Sequence, residues 1–274
     1  MVGKLALRMV ASALATAAFV AACSSDSADP NGDAGADASQ EAAAETGPAQ
    51  AEGFCFSRPA LPLCEDFDEA PLPGVFATMV GEAAMAIEQG DATSKPAALR
   101  ITADPANGAT LDARLISAPL TAGKKLRSLV QVSLPARTPT ADAAPLRLCS
   151  MEFTGERAGV AGKYRYSFAT NGKGDWFGEE LFAPNDGGAP ESKTFPAQAG
   201  VPSDEWTSVR LEVDVLANGS ATFGARVGAD VVLAGVPMGT PEGLLAPVFS
   251  LGLDGAMPAS AWAVRFDTVT FHFE

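Results

Sequence analysis

The run 206–215, WTSVRLEVDV, contains two carboxylates at a spacing that could serve acid–base chemistry. Glu212 and Asp214 are two residues apart, so both side chains lie on the same face of a strand. Two carboxylates that face one groove are the arrangement that glycoside hydrolysis requires. Alternating charge opposite Val213 is also typical of the solvated face of a half-buried strand. We interpret Glu212 and Asp214 as such a face.

A second set of residues could bind a ligand through aromatic and polar contacts. Tyr164 and Tyr166 share one face of a predicted strand, and Trp176 follows just beyond the turn NGKGD. Aromatic side chains can stack on sugar rings, although a stripe of this kind is also typical of a core. Arg165 lies on the opposite face. On that face we predict three polar ligand-binding residues: Arg165, Arg147 and Glu152.

Short strands must position these side chains. Runs of alternating apolar residues recur through residues 85–273, and the 27 glycines and 20 prolines interrupt every helical period. Roughly a dozen strands at this spacing predict an all-β fold, an antiparallel β-sandwich or jelly roll. The run 206–236 predicts a β-meander, with a type I′ turn at Asn218-Gly219. The proline-rich opening segment, residues 53–74, is expected to lie across the sandwich and outside the sheets.

The last strand, residues 262–273, changes its apolar phase. Trp262 to Phe266 and Val269 to Phe273 follow opposite parities, which predicts a β-bulge near Asp267-Thr268. His272 alternates with Phe271 and Phe273 and is expected on the wetter face. It is the only histidine, and no nucleophile elbow accompanies it, so a Ser-His-Asp triad is not indicated.

The first 52 residues are expected to be a leader and a tether. Residues 1–22 have a basic start, a short apolar stretch and small residues before Cys23, as in a signal peptide. The run VAAC resembles the bacterial lipobox, which implies lipidation of Cys23 and an envelope location, on the outer membrane because Ser24 follows. Residues 23–52 are acidic, without aromatic or branched aliphatic side chains, and predict a disordered linker. Residues 53–274 then form one domain.

The net charge and the cysteines limit which ligands, disulfides and metal sites the chain can have. The net charge of −14 argues against nucleic acid, because phosphate binding needs concentrated positive charge. Cys55 and Cys64 enclose a short loop and are the first choice for a disulfide, with Cys149 as a buried thiol. A bond from either of them to Cys149 is the alternative. No C-x-x-C pair is present, so a zinc site is not predicted.

The opening CEDFD, the central WTSVRLEVDV and the closing VRFDTVTFHF resemble the concanavalin A-like lectin/glucanase superfamily, in its laminin-G-like branch. The resemblance spans about residues 60–274 and implies two curved sheets with a sugar groove on the concave one. Glycosidases of this superfamily carry E-x-D-x-E, whose third carboxylate is missing here. Its lyases need a Tyr or His base beside a charge-neutralising residue. Its members often hold a structural calcium ion, for which Asp66 or Asp68 with Asp267 are the expected ligands.

These patterns favour a surface lipoprotein with a lectin-like domain that binds a glycan or a cell-envelope component without cleaving it. Its partners would be the membrane, through the lipid anchor, and a polysaccharide; no cofactor is predicted apart from the calcium ion. A diverged glycoside hydrolase or polysaccharide lyase of the same fold is the first alternative. A protein-binding or structural envelope protein is the second.

Overall fold

The structure is a computed structural model, and it describes residues 54–55, 57–68, 71–94, 96–239 and 246–273. The predicted signal peptide 1–22, Cys23 and the linker 23–52 lie outside the described residues. Across the described part of the chain, no helix is long and apolar enough to cross a membrane. The helical elements there are two 3-10 turns, Glu82–Ala84 and Pro105–Asn107.

Fifteen strands form the rest of the fold. In chain order they are β1 (Leu63–Glu65), β2 (Thr78–Val80), β3 (Met85–Gln89), β4 (Ala97–Ala103), β5 (Thr110–Ile116), β6 (Lys125–Ser133), β7 (Pro145–Arg157), β8 (Val160–Asn171), β9 (Trp176–Pro184), β10 (Glu191–Pro196), β11 (Trp206–Val215), β12 (Ala221–Val227), β13 (Asp230–Pro237), β14 (Val248–Ala256) and β15 (Trp262–Phe273).

The strands pair into two antiparallel sheets that form a sandwich. The eight-stranded sheet has the order β13-β12-β11-β6-β15-β4-β3, and β1 pairs with β15. The seven-stranded sheet has the order β10-β9-β8-β7-β14-β5-β2. The core lies between the sheets, where Tyr166 meets Phe223 at 5.6 Å between ring centroids and Phe249 meets Phe271 at 6.2 Å. The predicted all-β sandwich is confirmed.

The sequence patterns did not predict three strands. β1 and β2 have only three residues each, and β10 is polar. β10 has the sequence ESKTFP and is almost entirely exposed, so it shows no apolar alternation. β1 corrects the expectation for the opening segment, because Leu63, Cys64 and Glu65 pair with Phe271, Thr270 and Val269 of β15. The first and last strands of the domain therefore lie side by side.

The turn at Asn218-Gly219 has a different geometry from the predicted one. Of these two residues only Gly219 has a positive φ, 87°. The Gly219 N–H donates to the Leu216 carbonyl at 2.9 Å, and the Leu216 N–H donates to the Ser220 carbonyl at 2.7 Å. A type I′ turn needs positive φ at both central residues, so that prediction was wrong. The longer turn begins at Leu216 and uses glycine at its single left-handed position.

The β-bulge predicted in β15 is present. The pairing of β15 with β6 shifts between Asp267 and Thr270, and Thr268 has a φ of 46°. The shift keeps the apolar residues on both sides of it in the core, although Phe273 at the strand end is 37% exposed. Phase slips in the apolar pattern of this chain therefore mark real bulges.

Candidate functional site

An ionic network crosses the outer face of the seven-stranded sheet, and Arg147 is its centre. Two guanidinium nitrogens of Arg147 donate to the two carboxylate oxygens of Glu179, one of them at 2.8 Å. The third, Nη1, donates to Asp254 Oδ1 at 3.0 Å. Ser192 Oγ donates to Glu179 at 2.9 Å. The network therefore extends over five neighbouring strands, β10, β9, β8, β7 and β14.

Asp254 is shared by three arginines. Besides Arg147, Arg165 Nη1 donates to Asp254 Oδ2 at 2.7 Å, and Arg114 Nε lies 3.3 Å from the same oxygen. Arg114 also binds both oxygens of Asp112, at 2.6 and 2.9 Å. The three guanidinium groups thus meet three carboxylates, and the charges balance.

The centre of this network is more deeply buried than the ion pairs on the other sheet. The side chain of Glu179 is 2% exposed and that of Asp254 is 8% exposed. Across the eight-stranded sheet, the ion pairs Arg226–Glu212 and Arg100–Glu88 are much more open to solvent. Buried charges need partners in good geometry, so the Arg147 network fixes its donors and acceptors in place.

Serines lie beneath the network in a row across three strands. Ser167 of β8 pairs with Ser150 of β7, which pairs with Ser250 of β14. Ser167 Oγ is fully buried and has no hydrogen-bond partner among the described residues, and the same holds for Arg165 Nε. Two adjacent unsatisfied polar atoms are unusual in a folded protein. Both atoms lie beneath the protein surface, so they belong to the interior of this face.

A bulge in β7 brings the predicted polar residues onto one face. Arg147 and Glu152 have opposite parities in the sequence, but the register shifts between Arg147 and Cys149, so that Leu148 and Cys149 both face the core. Arg165 pairs directly with Glu152 across β7 and β8. Glu152 accepts from Lys163 at 2.8 Å. Arg147, Arg165 and Glu152 therefore share the outer face, as expected.

The two predicted tyrosines lie inside the sandwich. Tyr164 and Tyr166 are fully buried, and their rings belong to the core. The Tyr164 hydroxyl donates to the Glu156 carbonyl at 3.0 Å, and that of Tyr166 donates to Glu180 at 2.8 Å. Neither ring is placed to stack on a sugar, because the inner parity of β8 faces the other sheet.

Trp176 is half-buried at the edge of the core. Its ring stacks on Phe168 with 5.1 Å between centroids. A Cβ on Gly200 would come within 2.0 Å of that ring, so the chain needs glycine there. Trp176 therefore packs as a core-edge residue on the inner parity of β9, away from the Arg147 network.

Glu212 and Asp214 lie on the other sheet, on the outer face of β11. Arg226 Nε donates to Glu212 at 3.1 Å, and Arg127 Nη2 donates to Asp214 at 2.6 Å. The structure places both carboxylates in partly solvated ion pairs and separates them from the Arg147 network by the whole core.

Burial and charge act differently on the two central arginines. Burial is the strongest influence on the pKa of Arg147 and lowers it, but hydrogen bonds with Glu179 and the charges of Glu179 and Asp254 reverse this and raise it. For Arg165, burial lowers the pKa by more than Asp254 raises it, and Arg147 and Arg114 repel it. Arg165 is therefore the less fully compensated of the two.

The predicted calcium ligands already accept hydrogen bonds from the protein. Asp267 accepts from the N–H groups of Thr93, Ser94 and Thr268 and from hydroxyls of all three. Asp66 accepts from Cys55 N–H, and Asp68 accepts from Ala97 N–H. No cluster of three or more His, Cys, Asp or Glu side chains that could hold a metal occurs within the described ranges. This donor-filled arrangement does not fit the oxygen cage that calcium prefers.

The cysteines are paired as first expected. Cys55 and Cys64 form a disulfide with 5.5 Å between their Cα atoms, and Cys149 is a buried free thiol. The bond ties the opening segment to β1.

Several solved structures have a fold similar to that of this chain. An endo-β-1,4-glucuronan lyase from the fungus Trichoderma reesei aligns over 78% of this chain and 96% of its own, with a TM-score of 0.55 and 14% identity. The alginate lyase vAL-1 from a Chlorella virus aligns over 73% and 94%, with a TM-score of 0.53 and 12% identity. The cellulose induced protein Cip1 aligns over 77% and 97%, with a TM-score of 0.50 and 10% identity.

The fold is a concanavalin A-like jelly roll. At these identities the likeness concerns the backbone arrangement and does not carry an activity to this chain. No family model matches the sequence, and no curated protein matches it. The function of this concanavalin A-like jelly roll must therefore be argued from its own side chains, above all from the Arg147 network.

Proposed function

We propose that the outer face of the seven-stranded sheet binds a glycan without cleaving it. The observation that carries this proposal is the ionic network of Arg147, Arg165, Glu179 and Asp254 on that face, whose charged groups are held in fixed positions by hydrogen bonds to one another. Fixed donors and acceptors are what orients a polar ligand, because little ordering is left to do on binding.

The balance of charge favours a hydroxyl-rich ligand. On this face Arg114, Arg147 and Arg165 are matched by Asp112, Glu179 and Asp254. Sugar hydroxyls both donate and accept, so they can bond to guanidinium and carboxylate groups in alternation. A polyanion would meet as many negative as positive groups here, on a chain with a net charge of −14.

The same residues argue against catalysis at this face. The chain has two tyrosines and one histidine. Both tyrosines are buried in the core, and His272 lies on β15 in the other sheet. A lyase base of either type is thus missing from the described face. The two central carboxylates, Glu179 and Asp254, are each held by arginines, which leaves neither positioned as a nucleophile or proton donor.

A polysaccharide lyase or glycoside hydrolase is the second candidate. It is supported by the likeness of fold to a glucuronan lyase and an alginate lyase, and by the three arginines, which could neutralise a substrate carboxylate. An enzyme that uses the outer face of the seven-stranded sheet would need a base of another residue type than tyrosine or histidine.

The test is a binding and cleavage screen on the full-length protein with neutral β-glucans, glucuronan and alginate. Each mixture is assayed for affinity and for newly released sugar ends. We expect binding of a glycan without release. Arg165→Ala should weaken that binding by about ten- to a hundredfold, since a hydrogen bond to a charged group contributes about 1.5–3 kcal/mol. Arg226→Ala, which removes an ion-paired arginine from the opposite sheet, is the matched control and should bind normally.

The outcomes separate the candidates. Release of sugar ends would establish the enzyme reading. Equal losses in Arg165→Ala and Arg226→Ala would show that the outer face of the seven-stranded sheet is not the site. No binding to any glycan would overturn the proposal.

We also propose that Cys23 is lipidated and anchors the protein to the cell envelope, at the outer membrane. The support is the sequence VAAC after an apolar stretch. Mass spectrometry of the mature protein tests this directly, because an acylated N-terminal cysteine and the absence of residues 1–22 are required. Cys23→Ser should release the protein from membranes.

A further inference from the structure

A small cavity at one end of the sandwich is separate from the Arg147 network. It lies where the loop after β6, the turn after β8 and the loop after β14 meet, and its lining includes Arg137, Thr140, Gly172 and Met257. Its volume is about 20 Å³, which is room for one water-sized group. The lining residues also include Thr138 and Ser260, beside apolar residues such as Leu146.

Arg137 is held in this cavity by three contacts. Its Nη2 donates to the Asn171 carbonyl and to Thr170 Oγ1, the latter at 3.2 Å. Its guanidinium carbon lies 4.9 Å from the centre of the Trp262 ring. The Trp262 indole is in turn fixed by donating to the Pro135 carbonyl at 3.1 Å. The guanidinium is therefore positioned before any ligand arrives.

The charge of Arg137 has no carboxylate partner. Within the described ranges no acidic side chain lies at ion-pairing distance from it, whereas Arg114, Arg147 and Arg165 all have one. Hydrogen bonds of Arg137 use Nη2 alone, so the N–H groups of Nη1 and Nε remain for another acceptor. Burial lowers the pKa of Arg137, and no nearby negative charge opposes that effect.

The loop after β6, which contains Arg137, packs closely against the turn after β8 at the cavity. The Thr140 N–H donates to the Gly172 carbonyl at 2.6 Å, and a Cβ on Gly172 would come within 2.3 Å of Thr140 Oγ1. The turn after β8 thus needs glycine for the loop after β6 to approach so closely. Asp142 also lines the cavity, and its Oδ1 accepts from the Ala144 N–H at 2.8 Å.

We infer that this cavity binds a carboxylate group, with Arg137 as the anchoring residue. A carboxylate oxygen can accept a charge-assisted hydrogen bond from a free N–H group of Arg137 and would compensate a half-buried charge that the protein leaves unpaired. The cavity has room for one oxygen of such a group, and the remainder of the ligand lies outside it. The carboxylate belongs either to a small organic acid or to a sugar acid.

Arg137 is not part of the Arg147 network, so the cavity and the outer face of the seven-stranded sheet can be tested with separate variants. The experiment is a titration of the full-length protein, labelled at arginine nitrogens, with sodium acetate, sodium glucuronate and glucose at constant ionic strength. The resonance of Arg137 Nε is assigned from Arg137→Lys. We expect a saturable shift with acetate or glucuronate and none with glucose.

Variants test the role of each group. Arg137→Lys should weaken carboxylate binding about tenfold, because lysine keeps the charge but loses the planar donors. Arg58→Gln is the matched control: Arg58 also stacks on an aromatic ring, Phe54, and bonds a backbone carbonyl, but it is exposed. It should bind as the parent does. Asp142→Asn removes a negative charge from the lining and should strengthen binding severalfold.

The result also identifies the source of the carboxylate. Tighter binding of glucuronate than of acetate indicates a sugar acid, and equal binding indicates a small acid. A shift that is absent with both carboxylates, or that glucose produces equally, overturns the inference. Unchanged carboxylate affinity in folded Arg137→Lys does so as well.

Discussion

The Tyr166 hydroxyl donates a hydrogen bond of 2.8 Å to the carboxylate of Glu180, although both side chains lie within the sandwich. The Gly239 N–H donates to the same carboxylate at 2.9 Å, and Arg157 forms an ion pair with its other oxygen. A buried charge is thus fully bonded on the inner parity of β9. Because all three donors converge on Glu180, its removal would leave each without this acceptor.

Glu180→Ala should lower the free energy of unfolding by about 3–5 kcal/mol, because it leaves buried polar groups unpaired. Glu180→Gln should cost less, about 1–3 kcal/mol, since it keeps one acceptor oxygen. Urea denaturation measures both. Glu191→Ala is the control, because Glu191 also binds Arg157, at 2.9 Å, but is 65% exposed. It should change stability by at most about 1 kcal/mol; equal costs for the two glutamates would contradict the argument.

Arg147→Ala should destabilise the protein by about 3–5 kcal/mol, because Glu179 and Asp254 would remain buried with fewer partners. Arg147→Lys should recover only part of this, since one ammonium group cannot bind both oxygens of Glu179 and also Asp254. Thermal or urea unfolding gives the two values. The exposed pair Arg226–Glu212 supplies the comparison, where Arg226→Ala should cost about 0–1 kcal/mol. An Arg147→Ala variant as stable as Arg226→Ala would show that burial of the network is unimportant.

The sandwich could be predicted because apolar alternation is strong wherever a strand has one buried face. β15 was predicted with its true limits, and its bulge was visible as a phase slip near Asp267. The strands β1 and β2 have three residues each, too few for a period to show. β10 is an exposed edge strand, so packing does not select its side chains.

The residues of the outer face of the seven-stranded sheet were predicted in part. Arg147, Arg165 and Glu152 were placed on the correct face, but Glu179, Asp254 and Arg114 were not identified. Glu179 shares its face of β9 with Phe177 and Leu181, so this outer face looks apolar in the sequence, while the inner face carries Glu180. Whether Glu179 or Glu180 belongs to the outer network depends on their partners in other strands. The local sequence does not show those partners. One signal was available: the run LRLCSMEF slips phase between Leu148 and Met151, as β15 does near Asp267.

Asp267 should stabilise the fold without a cation. Its carboxylate accepts hydrogen bonds from Thr93, Ser94 and Thr268. Asp267→Asn would turn an amide group toward some of these donors and should cost about 1–3 kcal/mol. Adding a chelator should leave the thermal midpoint of the parent protein unchanged. A midpoint that falls with chelator and recovers with calcium would instead establish the metal site that the fold resemblance implies.

The disulfide between Cys55 and Cys64 should stabilise the domain by about 2–3 kcal/mol, as the chain-entropy relation gives for a loop of this length. The double variant Cys55→Ala, Cys64→Ala removes the bond without leaving thiols. Its urea midpoint, compared with that of the parent, measures the effect. Reducing agent should lower the midpoint of the parent but not that of the double variant, and an effect on both would point to another cause.

Because of the buried thiol of Cys149, we expect the folded protein to lose stability at alkaline pH. Burial raises the pKa of its thiol to about 12 in the folded protein, whereas an unfolded chain has a thiol pKa of about 8.5. Between these values the unfolded state releases the proton and the folded state keeps it. The folded state therefore binds more protons, and the free energy of unfolding falls as pH rises, by up to about 1.4 kcal/mol per pH unit.

Cys149→Ala isolates this contribution from the other groups that titrate in the same range. The alanine variant should be less stable than the parent at pH 7, because a buried side chain is shortened. The difference should shrink steadily above pH 8.5, since only the parent carries the buried thiol. Urea unfolding at intervals from pH 7 to 10 measures both curves. Parallel curves would mean that the thiol ionises in the folded protein as readily as in the unfolded chain, which complete burial of Cys149 should prevent.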